Sequence, residues 1–310
     1  MEPGQNVNIT EFKGKDDSPI CVYCWEKVDK PKAVLQIFHG MAEHAGRYGR
    51  LADYLNAHGI VVIGHDHRGH GRTSQLNGKP GVIGADGFNN IVEDGHRITA
   101  MLKEKYPDIP VFILAHSFGS FAGQQYITQY GSDIAGIILS GTAAQIGPEF
   151  RFAKLLALTQ MKLWGGEKQA KLIEKLSFGS YNRKIQSPQT GFDWLSRDAA
   201  EVKKYIDDEY CGFTCSAGFY YYFTEGLLKL YKKERLAAIP KNLHIYIIAG
   251  DKDPVGMHGK RVQKLYDIYK DLRIEDVSIK LYKDSRHEIL NEVNREEVTE
   301  DILDWINIHI

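Results

Sequence analysis

Leu114-Ala115-His116-Ser117-Phe118-Gly119-Ser120 follows directly on an apolar run, Val111-Phe112-Ile113-Leu114, and precedes a helical stretch. A serine between small residues at a strand-to-helix junction has the context of a G-x-S-x-G elbow. There a sharp turn strains the serine backbone and presents its Oγ at the sheet edge. The positions two before and two after the serine must be small, because strand and helix pass close together. Gly119 satisfies this, while Ala115 replaces the first glycine and adds one methyl. The helix N-terminus behind Ser117 favours developing negative charge. A serine that merely caps a helix explains S-x-G equally well, so the reading depends on what surrounds it.

Outward from this turn, short apolar and β-branched runs recur at 33–38, 60–63, 111–114, 134–139, 243–248 and 277–282. Such runs suit strands buried on both faces of a parallel sheet. Helical period appears over 48–58 and over 88–106, where Ile91, Ile98, Met101 and Leu102 share a face and Pro107 lies just beyond. A last helix is expected over 296–308, with Val298, Ile302, Leu303 and Trp305 in register. This alternation predicts an α/β fold with a mostly parallel, doubly wound sheet and right-handed crossovers. It stops near Ala143 and resumes near Asn242. The segment between is helical and aromatic, with an apolar run at 152–164 and Gly218-Phe219-Tyr220-Tyr221-Tyr222-Phe223, and is far too long for a plain connection. The expected organisation is a core domain of residues 1–142 and 242–310 with a helical cap, or lid, inserted at 143–241.

Hydrophobic residues are 43% and charged residues 25%, as in an ordinary soluble globular protein, and 310 residues suffice for one large α/β domain with an insertion. A net charge of −1 leaves no footprint for nucleic acid or an anionic membrane. Met1-Glu2-Pro3-Gly4-Gln5-Asn6 has neither the basic nor the apolar region of a signal peptide. No apolar run approaches the roughly 20 residues that span a bilayer. The cysteine pairs Cys21/Cys24 and Cys211/Cys215 invite a zinc reading. Against it, Cys21-Val22-Tyr23-Cys24 lies in a strand-like run that sends the two thiols to opposite faces. Free, reduced thiols in a cytoplasmic protein are the expectation.

A nucleophilic serine needs a base, and the base an orienting carboxylate. Behind an elbow of this kind the partners follow in the order Ser, Asp, His, each at a strand end. Ile247-Ile248-Ala249-Gly250-Asp251-Lys252-Asp253-Pro254 ends one late strand with two aspartates, and Lys283-Asp284-Ser285-Arg286-His287-Glu288 ends the next with a histidine. His287 is thus the base of choice; His258, just after the acid loop, and His309, at the terminus, are less well placed.

His39-Gly40-Met41-Ala42-Glu43-His44, then His65-Asp66-His67-Arg68-Gly69-His70-Gly71-Arg72-Thr73-Ser74, then the elbow, the 250–253 loop and His287 run in order across about 250 residues. Together they resemble the monoacylglycerol lipase and lysophospholipase group, within the serine-aminopeptidase-like, S33-type branch of the α/β hydrolases. The resemblance implies the α/β-hydrolase fold and hydrolysis of lipid-like acyl esters through an acyl-enzyme on Ser117, with neither cofactor nor metal. Because the acid of that family follows the glycine by three positions, the resemblance implies Asp253 rather than Asp251. The family's oxyanion hole carries over to the backbone N–H groups of Met41 and Phe118. The loop glycines Gly69 and Gly71 allow a tight turn, which Asp66 and Arg68 are expected to brace by pairing. The partner expected is a small acyl ester, with at most transient membrane contact through the lid. Two rivals stand beside this reading. A proline-type aminopeptidase needs carboxylates near the serine to hold a substrate amine, for which the insertion offers Asp207, Asp208 and Glu209. A catalytically inactive member of the fold would serve only as a binding protein.

Overall fold

In a computed structural model, which describes residues 7–310, the chain forms eight strands. They are β1 (Asn8–Lys13), β2 (Pro19–Trp25), β3 (Ala33–Phe38), β4 (Ile60–His65), β5 (Val111–His116), β6 (Gly136–Ser140), β7 (His244–Gly250) and β8 (Val277–Tyr282). The opening hexapeptide, read above as lacking a signal sequence, lies outside the described residues. One sheet runs in the order β1-β2-β4-β3-β5-β6-β7-β8. β1 and β2 join antiparallel, and every pairing from β4 to β8 is parallel.

The apolar runs are continuous because both faces of the sheet are covered. Val111, Ile113 and Ala115 of β5 point into one core, Phe112 and Leu114 into the other. α3 (Gly87–Lys105), α4 (Phe118–Tyr130) and α10 (Lys260–Asp271) pack on the first face, α1 (Gly49–Ala57) and α11 (Arg295–Asn307) on the second. A short α2 (Thr73–Asn77) follows the β4 loop. β1 carries no apolar run. Its residues are exposed or at most half-buried at the sheet margin, so pairing with β2 rather than burial holds it.

Between β6 and β7 the chain forms α5 (Pro148–Trp164), α6 (Lys171–Phe178), α7 (Ala199–Asp207), α8 (Ala217–Leu230) and α9 (Lys233–Ala237). Ser216 Oγ caps α8 by accepting the Phe219 N–H at 3.1 Å. The aromatic run at 218–223 lies on that helix, where Phe219 and Phe223 bring their rings within 4.9 and 5.1 Å of Phe118. These helices are thereby seated above the start of α4. α5 buries only Ala157 and leaves Phe152 64% and Trp164 65% exposed. Among the described residues no helix is long and apolar enough to cross a membrane.

Candidate active site

Ser117 stands between the end of β5 and the first residue of α4 with φ +50° and ψ −118°, a conformation L-residues rarely adopt. Its N–H donates to Ser140 O at 2.9 Å, and Ser120 Oγ donates to Ser117 O at 2.6 Å, so neighbouring elements hold the turn. A Cβ on Gly119 would stand 2.3 Å from Phe38 O and 2.4 Å from His39 O, which shows why only glycine fits there. Ala115 is accommodated from the opposite side. A Cβ on Gly123 of α4 would come 2.9 Å from the Ala115 methyl, so the second glycine of the helix leaves the room that the first position took.

Ser117 Oγ lies 2.8 Å from His287 Nε2, and His287 Nδ1 lies 2.9 Å from Asp253 Oδ2. A buried carboxylate only accepts, so Nδ1 carries the proton and Nε2 is left to accept from the serine hydroxyl. The other oxygen of Asp253, Oδ1, takes the Val255 N–H at 2.8 Å. Asp251 instead directs Oδ2 to Lys252, and its N–H donates to Tyr282 O. Burial disfavours the His287 imidazolium. The charge and hydrogen bond of Asp253, with the charges of Glu288 and Glu43, outweigh it and raise the pKa above its ordinary value. The His116 ring lies tilted 4.9 Å from that of His287, and burial beside that ring pushes its pKa down to about 4.

The 39–44 segment follows β3 and faces the elbow. Gly40 N–H donates to Glu43 Oε1 at 2.5 Å, while the amides of Met41 and Phe118 have no acceptor among the described residues. Arg47 binds Glu43 and, through both terminal nitrogens at 2.7 Å, Glu288. Burial opposes ionised Glu288, but the Arg47 guanidinium brings its pKa down to about 2. One buried cation thus ties the 39–44 segment to the residue after His287. Neither Arg47 nor Trp194 stood out in the sequence. The Trp194 ring lies tilted 5.0 Å from that of His287, and the Trp194 carbonyl accepts the His287 backbone N–H.

The expected Asp66–Arg68 pair does not form. Asp66 is consumed by backbone, taking Ala45 N–H at 2.8 Å and Arg72 N–H at 2.7 Å, with Tyr23 OH at 3.2 Å. Arg68 reaches across to α3, where the buried Asp94 needs a cation, and binds it at 2.7 and 3.0 Å. The brace therefore runs from the loop to a helix rather than within the loop. It is His287 that meets Ser117, whereas His258 donates its N–H to Asp253 O, His309 lies against Asp276 and His244, and the four cysteines are free. Cys211 neighbours His44 and Asp208 rather than Cys215, which is buried in the main core.

A cavity of about 580 Å³ opens over Ser117 and His287, walled by residues such as Met41, Phe121, Phe150, Leu156 and Phe223. Asp207, Asp208 and Glu209 line a different cleft with Tyr23 and His44.

Residues 29–294 match the sequence model of the family described as serine aminopeptidase, S33. The chain belongs to that S33 family. It is 27% identical to a monoacylglycerol lipase of Mycolicibacterium smegmatis over 301 residues, 96% of either chain. It is also 27% identical to human monoglyceride lipase over 290 residues, 94% of this chain and 86% of that one. Among solved structures, a thermostable carboxyl esterase from Bacillus coagulans in complex with glycerol superposes with a TM-score of 0.90 at 29% identity, covering 98% of this chain and 99% of the other. These likenesses span the α/β-hydrolase sheet and its helices together. Within the S33 family, aminopeptidase action calls for acidic groups free to take an amine. The carboxylates lining this cavity are engaged: Glu43 and Glu288 with Arg47, Glu149 with Arg261, and Glu174 with Thr214 Oγ1.

Proposed function

We propose that this carboxylic ester hydrolase cleaves monoacylglycerol-type esters, with Ser117 as nucleophile, His287 as base and Asp253 as the acid that orients it. The reading rests chiefly on the 2.8 Å contact of Ser117 Oγ with His287 Nε2 at the floor of an apolar cavity. His287 takes the Ser117 proton as Oγ attacks the ester carbonyl, and the Met41 and Phe118 N–H groups receive the oxyanion. The protonated His287 then gives its proton to the departing alcohol, leaving an acyl-enzyme. Water, deprotonated by His287, hydrolyses that intermediate and frees the fatty acid.

Residues 143–241 act in this reading as a cap whose inner face holds the acyl chain. Its exposed Leu155, Leu163, Trp164 and Leu172, which do not line the cavity, suit transient contact with a lipid surface. A monoacylglycerol is favoured by the two full-length lipase relatives and by the glycerol held in the esterase relative. Free cysteines fit a cytoplasmic setting.

Turnover of monoacylglycerols of rising chain length, set against lysophosphatidylcholine and proline arylamides, tests the substrate. Preference for monoacylglycerol is expected, and faster release of proline arylamide would overturn it. Ser117→Ala is expected to lower kcat by at least about 10⁴-fold with folding intact.

A further inference from the structure

The sheet rim opposite Ser117 carries a side-chain cluster that ester hydrolysis does not use. His244 opens β7, Asp276 immediately precedes β8, and His309 lies two residues past α11. His244 Nδ1 and His309 Nε2 approach one oxygen, Asp276 Oδ2, at 2.8 and 2.7 Å, and the two rings stand 4.2 Å apart.

His309 Nδ1 lies 2.6 Å from Trp305 O, which only accepts, so that nitrogen holds the ring proton. The neutral ring then presents its Nε2 lone pair to a carboxylate oxygen. Two lone pairs at that distance repel, so a positive centre belongs between them, either a second proton or a metal cation. A backbone carbonyl behind the ring is also the usual support of a metal-bound histidine, fixing its tautomer.

We propose that His244, Asp276 and His309 form a binding site for a zinc-class divalent cation, with a fourth position open to solvent. Two imidazoles and a carboxylate select Zn²⁺, Ni²⁺ or Cu²⁺ over Mg²⁺ and Ca²⁺. The three ligand atoms already lie within 4.8 Å of one another. A tetrahedral ion with bonds of about 2.0–2.1 Å sets ligand atoms roughly 3.3 Å apart. The atoms must open by about half an ångström, which the part-exposed side chains of His244 and Asp276 allow. A second group, His44, Asp208 and Cys211, is less suited, because the nearby Arg47 charge opposes another cation. At the rim the ion would clip the C-terminal end of α11 to the starts of β7 and β8, remote from the ester chemistry.

Zinc chloride alone, added to the chelator-stripped full chain, tests the site by calorimetry and thermal unfolding. Uptake of zinc and a rise of a few degrees in the unfolding midpoint are expected, since a ligand that binds only the folded chain stabilises it. Asp276→Asn, which keeps the shape of the side chain, should weaken zinc binding at least tenfold, and His244→Ala likewise. Cys211→Ser should leave it intact, as should the rate of ester hydrolysis with and without zinc. Zinc-free midpoints of the variants establish that they fold, and Asp276→Asn decides should His244→Ala unfold. Failure of the native chain to bind zinc, an affinity unchanged in Asp276→Asn, or an equal response to Mg²⁺ would overturn the proposal.

Discussion

His287 sits between a serine hydroxyl and a buried carboxylate, and in the proposed mechanism its protonation governs when it acts as base. Its pKa is held above the ordinary 6.5 because Asp253 and its neighbours outweigh the cost of burial. Proton abstraction needs the neutral ring, so kcat/KM should fall as pH drops through that raised pKa and level off above it. A pH–rate profile whose acid limb lies above 6.5 is the expected result. Asp253→Asn removes the leading favourable charge and replaces one of its two acceptor oxygens with an amide donor, so the tautomer is no longer fixed. The limb should move to lower pH, and kcat should fall by about 10⁴-fold. Asp251→Asn, altering a carboxylate that faces Lys252, should leave both unchanged. Arg47→Met is the opposite kind of change. It strands Glu43 and Glu288 as buried charges and should cost about 3–5 kcal/mol in urea unfolding.

The junction of β5 and α4 is where an element's geometry meets the chemistry. Ala115 and Gly123 share one small space, and either the strand or the helix supplies the missing methyl. Gly123→Ala should therefore destabilise by about 1–3 kcal/mol through overpacking. Ala115→Gly in the same chain should recover part of that loss, and a double-mutant cycle in urea measures the coupling. Gly119→Ala has no such remedy, because its Cβ would strike two backbone carbonyls of the 38–39 segment. Elements were legible wherever the apolar period was strong, as in β3, β5, α3 and α11. β1 escaped notice because a margin strand needs only half-buried side chains, and its six residues are mostly polar.

Taken whole, the molecule buries an unusual set of neutral histidines beneath the site: His39, His65, His67, His70 and His116. Burial lowers the pKa of each, to about 3 for His65 and about 4 for His70 and His116. Below pH 6.5 the unfolded chain takes up protons that the folded chain refuses, so stability falls as pH falls. Each histidine contributes a slope of up to about 1.4 kcal/mol per pH unit, which ends below its folded pKa. Urea midpoints should thus decline steeply from neutral pH towards about pH 4, ahead of most carboxylate titration. The exposed apolar side chains of α5 and α6 act on the same scale. Leu163→Asp with Trp164→Asp should slow hydrolysis of dispersed long-chain monoacylglycerol while sparing a dissolved short-chain ester. Parallel assays on the two substrates separate surface contact from chemistry.

The sequence by itself determined the strand–helix alternation, the strained serine turn and the order of serine, aspartate and histidine. All three are local: period, turn residues and strand ends are read within a few positions of the chain. Only the tertiary structure decided which aspartate faces His287, where Arg68 finds its carboxylate, and that the acidic 207–209 stretch lies in another cleft. It also brought His309 beside His244 and put a strained Ser117 within 2.8 Å of a histidine 170 residues away in sequence. Those contacts join residues far apart in the chain, and their partners are selected by sheet order, burial and the need to pair each buried charge.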